Sequence, residues 1–150
     1  MDEFKIAWAA GIMDGEGCVG VRWNKKRKSF TLVVSVTNTD PRMLITLKRM
    51  FGGSIQLAHS KNYKPHYKTS WGWFLVSNGA CAMLRTVLPH LVVKRDQAEL
   101  AITFQGMHRK RGGVIGKAIE GNAELLEKQA WLSRRLSDMK HEIPAMKEVL

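Results

Sequence analysis

The stretch from Phe4 to Arg22, FKIAWAAGIMDGEGCVGVR, constrains this chain more than any other, because a helix, a close contact and a pair of acids fall inside it. Ala7, Gly11 and Gly15 recur every four residues, which places them on one stripe of a helix with almost no side chains. Backbones can approach closely along such a stripe. The spacing is best attested in membranes, but the same sterics hold for two helices crossing in a soluble core. Phe4, Ile6, Trp8, Ile12 and Met13 clothe the remaining faces, which predicts a helix buried nearly all round. At its end stand Asp14 and Glu16, each followed by a glycine, and then Val19, Val21 and Trp23 alternate as in a strand. The acids therefore mark a helix-to-strand corner. For an isolated Gly-x-Glu-Gly the ordinary reading is a helix C-terminus with a solvated acid after it. Two acids at the negative end of a helix dipole nevertheless need compensation, and a divalent cation would supply it.

Ala9-Ala10-Gly11-Ile12-Met13-Asp14-Gly15-Glu16-Gly17 resembles the signature of the LAGLIDADG homing endonucleases, with Ala9 for the usual leucine and Glu16 for the usual second aspartate. Glutamate still offers a hard oxygen ligand, one methylene further out. The signature occurs once. Family members with one copy work as homodimers, so the resemblance implies a dimer formed through Ala7, Gly11 and Gly15. In that arrangement Glu16 and its symmetry mate meet near the scissile phosphates, the Gly15 carbonyl joins as a metal ligand, and Asp14 is structural. Mg2+ is the expected ion, with Mn2+ able to substitute.

A chain of 150 residues fits one domain spanning 1–150 and can bury a real core. Lysine and arginine total 24 against 13 acids, a formal net charge of +11, and a symmetric pair would carry twice that. Such a balance points to a polyanion, with a ribosomal or other generic basic protein as the rival reading; the resemblance implies that the polyanion is double-stranded DNA. A membrane is not an expected partner, since no apolar run approaches the roughly 20 residues of a spanning helix and no signal-peptide pattern opens the chain. Cys18 and Cys81 fit no metal-ligand spacing and read as free thiols in a reducing compartment. The five histidines show no pairing that suggests zinc. The expected location is intracellular: a prokaryotic cytoplasm, or an organelle such as a mitochondrion or chloroplast that makes the protein itself.

Beyond the corner, residues 18–24 and 29–37 alternate around a charged turn, Lys25 to Lys28, and so predict a hairpin. Val19, Val21, Trp23, Phe30, Leu32, Val34 and Val36 form its apolar face. The opposite face carries Cys18, Gly20, Arg22, Asn24, Ser29, Thr31, Val33 and Ser35, and no acid occurs between Glu16 and Asp40. An antiparallel sheet always has a solvated side, but one without acids suits DNA. Asp40-Pro41 opens a helix with core residues Leu44, Leu47 and Phe51, and Gly52-Gly53 ends it. A second hairpin follows, 54–60 and 69–76, with Trp71, Trp73 and Leu75 alternating towards the core. Arg22, Asn24, Lys26, Lys28, Ser29, Thr31, Ser35 and Gln56, with Lys61, Lys64 and Lys68 of the second loop, are the candidate DNA contacts. Ser77 or Asn78 is expected to cap a helix over 80–88 that Pro89 stops; helices over 94–107 and about 118–140 follow, separated by the basic connection 108–117. In the last helix Leu125, Leu132, Leu136 and Met139 share a face with Trp131 adjoining. The result is an α+β fold: an αββαββα core with additional C-terminal helices, its two hairpins forming a DNA-binding antiparallel sheet.

Three further positions resemble the family's water-organising shell. Asn38 follows the second strand, where relatives often have glutamine, and would hydrogen-bond a water; Arg42 lies one residue past Pro41 and would hold that network or a phosphate; Lys94 would stabilise developing charge. Each has a plainer alternative: a strand-end residue, a first-turn helix charge and a helix-start lysine. The expected function is a site-specific homing endonuclease that makes double-strand breaks in a long pseudo-palindromic target by metal-dependent hydrolysis, of intron rather than intein origin. The alternatives are a maturase, which would bring RNA as a partner, and a non-cleaving DNA-binding regulator on the same fold.

Overall fold

A computed structural model of the chain describes residues 1–58, 68–108 and 123–142. Helix α1 (Glu3–Glu16) leads through the corner into β1 (Gly17–Asn24) and β2 (Ser29–Asn38); α2 (Pro41–Phe51), β3 (Ser54–Leu57) and β4 (Trp71–Val76) follow, then α3 (Ser77–Val87), a short 3-10 turn (Leu88–His90), α4 (Arg95–His108) and α5 (Ala123–Asp138). The four strands form one antiparallel sheet in the order β1-β2-β4-β3, so the two hairpins join through β2 and β4. Among the described residues no helix is long and apolar enough to cross a membrane.

Local chemistry explains the element ends. The Asp2 carboxylate accepts from Phe4 N at the start of α1, and Asp40 accepts from Arg42 N at the start of α2, where Pro41 supplies a preset first residue. Helix α2 ends as expected at Gly52-Gly53, both with positive φ; a Cβ on Gly53 would lie 2.4 Å from the Phe74 carbonyl oxygen. Trp73 is fully buried there and donates Nε1–H to the Gly52 carbonyl at 2.8 Å. The start of α3 departs from expectation. The helix begins at Ser77, which has φ +50°, and no side chain caps it, because Asn78 Oδ1 instead accepts from Gln105 Nε2 of α4 at 3.0 Å. That bond ties α3 to α4 in place of the predicted cap.

Val19, Leu32, Val34, Val36, Trp73 and Leu75 from the inner face of the sheet meet Ala9, Ala10, Met13, Leu44, Leu47, Met83, Leu84, Ala98, Ala101 and Phe104 from α1–α4. The tip of the first hairpin extends past this cover. Trp23 on the apolar face is therefore exposed and packs against Phe30, ring centroids 4.8 Å apart, rather than entering the core. Helix α5 packs on α4 and β1, burying Leu132 and Leu136 and leaving Trp131 exposed.

Candidate active site and nucleic-acid face

Helix α1 is not buried all round. Only Ala9, Ala10 and Met13 are fully covered, Phe4 is 86% exposed and Trp8 is exposed, because within one chain the sheet, α3 and the 3-10 turn reach a single face of the helix. The small-residue stripe lies on the uncovered side. Ala7, Gly11 and Gly15 are all exposed, and a Cβ built on Gly11 or Gly15 meets nothing within 4 Å. Val92 and Val93, 83% and 71% exposed, extend this apolar surface beside the C-terminal end of α1. Nothing in the Leu-Val-Val run itself separates the buried Leu91 from the two exposed valines.

The corner itself is held by contacts from 78 and 80 residues away. Asp14 accepts Val92 N–H at 2.8 Å and Lys94 N–H at 2.9 Å on its two carboxylate oxygens, while Lys94 Nζ donates to the Asp14 carbonyl at 2.5 Å. The carboxylate thereby receives the first free amides ahead of α4, and the ammonium meets the negative end of α1. Gly17 donates its N–H to Met13 O; a Cβ there would sit 2.6 Å from that same oxygen, so the turn needs glycine. Glu16 is left exposed and, among the described residues, in no ion pair.

Asn38 ends β2 at the same edge of the sheet where Gly17 begins β1, since Gly17 pairs with Val36. Its Oδ1 accepts from Asp40 N at 2.8 Å, and Arg42 lies against Asp40 through Nε at 3.0 Å to both carboxylate oxygens. The side-chain hydrogen bonds from Arg42 hold the Asp40 carboxyl down at about 2 and raise the guanidinium's own pKa. Lys94 and the Glu16 corner are thus brought together, whereas Asn38 and Arg42 stand in a local turn at the neighbouring sheet end.

Alternation puts Cys18, Gly20 and Arg22 of β1, Thr31, Val33 and Ser35 of β2, Gln56 of β3 and Gly72, Phe74 and Val76 of β4 on the outer face. No Asp or Glu occurs in any of the four strands. The face is not wholly open: Val33 is 7% exposed, and Ser133, Leu136, Ser137 and Lys140 of the α5 end border it, Lys140 Nζ standing 3.3 Å from Cys18 Sγ. A cleft of about 750 Å³ lies between the corner, residues 92–97 and that end of α5. Of the other candidate contacts, Lys26, Lys28, Gln56 and Lys68 are exposed, Ser29, Thr31 and Ser35 are half-buried, and Asn24 Oδ1 is taken by Arg27 N in the hairpin turn. Lys61 and Lys64 lie outside the described residues. Phe74 carries no distinguishing signal in the sequence, because the tryptophans of the opposite phase dominate its strand.

Glu16 is unpaired and the Gly15 backbone is uncovered, as hard-oxygen ligands require, but among the described residues no three His, Cys, Asp or Glu side chains gather.

No protein-family model matches the sequence, and neither does any curated protein. Solved structures do. The chain is similar to the homing endonuclease I-CvuI in complex with its target in the presence of calcium, with a TM-score of 0.69 and 20% identity over 91% of this chain and 82% of that one. It is similar to the archaeal intron-encoded homing endonuclease I-Vdi141I complexed with DNA, TM-score 0.70, 15% identity, 93% and 86% covered. With the LAGLIDADG homing endonuclease I-GzeII in complex with a DNA target the TM-score is 0.59 at 16% identity, covering 93% of this chain but 50% of that one. The chain has the α+β fold of the LAGLIDADG homing endonucleases.

Proposed function

We propose that this protein is a homodimeric, divalent-metal-dependent, site-specific DNA endonuclease. The observation that carries the reading is the corner: an exposed, unpaired Glu16 at the end of a helix whose small-residue side is bare, with the Lys94 ammonium fixed two residues away on the Asp14 carbonyl. Pairing two copies of α1 along Ala7, Gly11 and Gly15 would cover the exposed apolar surface and bring two Glu16 carboxylates together. Like charges so placed require cations between them. Two carboxylates, two Gly15 carbonyls and phosphate oxygens suit Mg2+, which takes one or two carboxylates and keeps several waters; Mn2+ accepts the same ligands.

When bound, the ion supplies neutralisation of charge at the scissile phosphate and acidification of water. The chain's own groups do the rest. Lys94 offers donors where charge develops on the leaving oxygen. Asn38 keeps its Nδ2–H pair free for a water while Oδ1 shapes the turn, and Arg42 holds the Asp40 loop or turns to a phosphate. The acid-free outer face, with Arg22, Lys26, Lys28, Ser29, Thr31, Ser35, Gln56 and Lys68, lies along the duplex, joined by Asn24, Lys61 and Lys64.

Supercoiled plasmids carrying a library of candidate sites, incubated with protein and magnesium, should yield linear product, and chelator should abolish it. Glu16→Gln should bind the selected site with nearly unchanged affinity and cut it at least about 100-fold more slowly. Specific binding without cleavage in magnesium or manganese would instead identify a DNA-binding regulator, and affinity for an intron RNA alone would identify a maturase.

A further inference from the structure

Arg22 reaches from β1 diagonally over β2 and places its guanidinium carbon 5.9 Å from the ring centroid of Phe74 on β4, within the range of a cation–π contact. The ring is itself fixed. It leans along its own strand over Gly72, where a Cβ would meet ring carbons at 2.6 and 2.7 Å, so the pose exists only because that position is glycine. Phe74 stands opposite Ser35, which stands opposite Cys18, so the ring occupies the outer face at mid-sheet.

What Arg22 lacks is as informative. Among the described residues it forms no ion pair, and the strands contain no carboxylate that could compete for it. An arginine held through a ring face keeps all five N–H donors free, whereas one held by an acid has its fork already filled. An exposed arginine without either would sample many rotamers and meet phosphates as readily as base edges.

Resting on the DNA-binding reading above, we infer that Phe74 is a positioning residue that aims the Arg22 fork at one guanine per half-site in the major groove. The bidentate match to guanine O6 and N7 needs a guanidinium delivered in a fixed plane. The ring supplies that direction without using a donor. Phe74 touches no base in this scheme; it converts Arg22 from a backbone contact into a base contact.

The full-length protein, equilibrated with a pool of duplexes randomised across the site, provides the test. Wild type should enrich sequences with guanine at one symmetric pair of positions by about 10- to 100-fold, and Arg22→Ala should flatten that pair alone. Phe74→Leu should flatten the same pair to below about 3-fold while leaving preferences elsewhere, the thermal midpoint and affinity for non-specific duplex unchanged. Phe74→Tyr should restore the preference, and Gly72→Ala, which displaces the ring without altering it, should reduce it. A merely structural ring would instead blunt every position together and lower the midpoint. If wild type enriches a site and Phe74→Leu keeps the guanine preference, or changes positions other than those of Arg22→Ala, the inference is overturned and the DNA reading stands. If wild type enriches no sequence, both fall.

Discussion

Replacing Gly11 with alanine separates the architecture of one chain from that of the proposed dimer, because the added methyl should act with opposite signs on the two. Gly11 lies inside α1, exposed, and its added Cβ would meet nothing within 4 Å. In an isolated chain the substitution therefore creates no clash. It removes the entropic cost of glycine in a helix and should raise the free energy of unfolding by about 0.5–1 kcal/mol. If α1 crosses its symmetry mate along Ala7, Gly11 and Gly15, two methyls enter one close backbone contact and overpack it, at about 1–3 kcal/mol per dimer. That weakens association by roughly 5- to 150-fold. Urea unfolding at low protein concentration reads the first effect, and sedimentation over nanomolar to micromolar concentration reads the second. Double-strand cleavage should fall with dimer population, although every proposed catalytic group remains. A Gly11→Ala protein that unfolds at higher urea and still dimerises and cuts as wild type would place the interface on another surface. One that is destabilised as a monomer would show that the stripe is already packed within the chain.

Asp14→Ala removes a carboxylate that accepts two backbone amides and braces Lys94. With part of that loss made good by water at a half-exposed site, stability should fall by about 2–4 kcal/mol in urea titration, and a change below about 0.5 kcal/mol would deny the corner its structural role. The Asp40 carboxyl should titrate in NMR at about 2 and return towards 3.8 in Arg42→Ala, since the side-chain hydrogen bonds from Arg42 are the largest cause of the depression. Because the folded value is the lower one, the pair's contribution is present above pH 3.8 and disappears as pH falls through about 2. A midpoint unmoved by Arg42→Ala would assign the depression to another group.

What the sequence determined by itself is what periodicity and local chemistry encode. The four-residue spacing of Ala7, Gly11 and Gly15, the Asp40-Pro41 start and Gly52-Gly53 stop of α2, the alternation that buries Val34, Val36 and Trp73, and the nine-residue signature at the corner all act over a few residues, and each stands where expected. Periodicity states which face of an element is apolar, but not what covers it. Helix α1 is apolar all round, yet one chain covers only one of its sides, so sequence alone could not divide its surface between core and exposed patch. Contacts that depend on long loops were equally hidden. Asp14 meets Val92 and Lys94, Lys140 reaches Cys18 across 122 positions, Asn78 leaves its expected cap for Gln105, and Arg22 finds Phe74 two strands away. Only the β2–β4 pairing, a long-range choice made by the packing of both hairpins against the same helices, brings that arginine and that ring onto one surface.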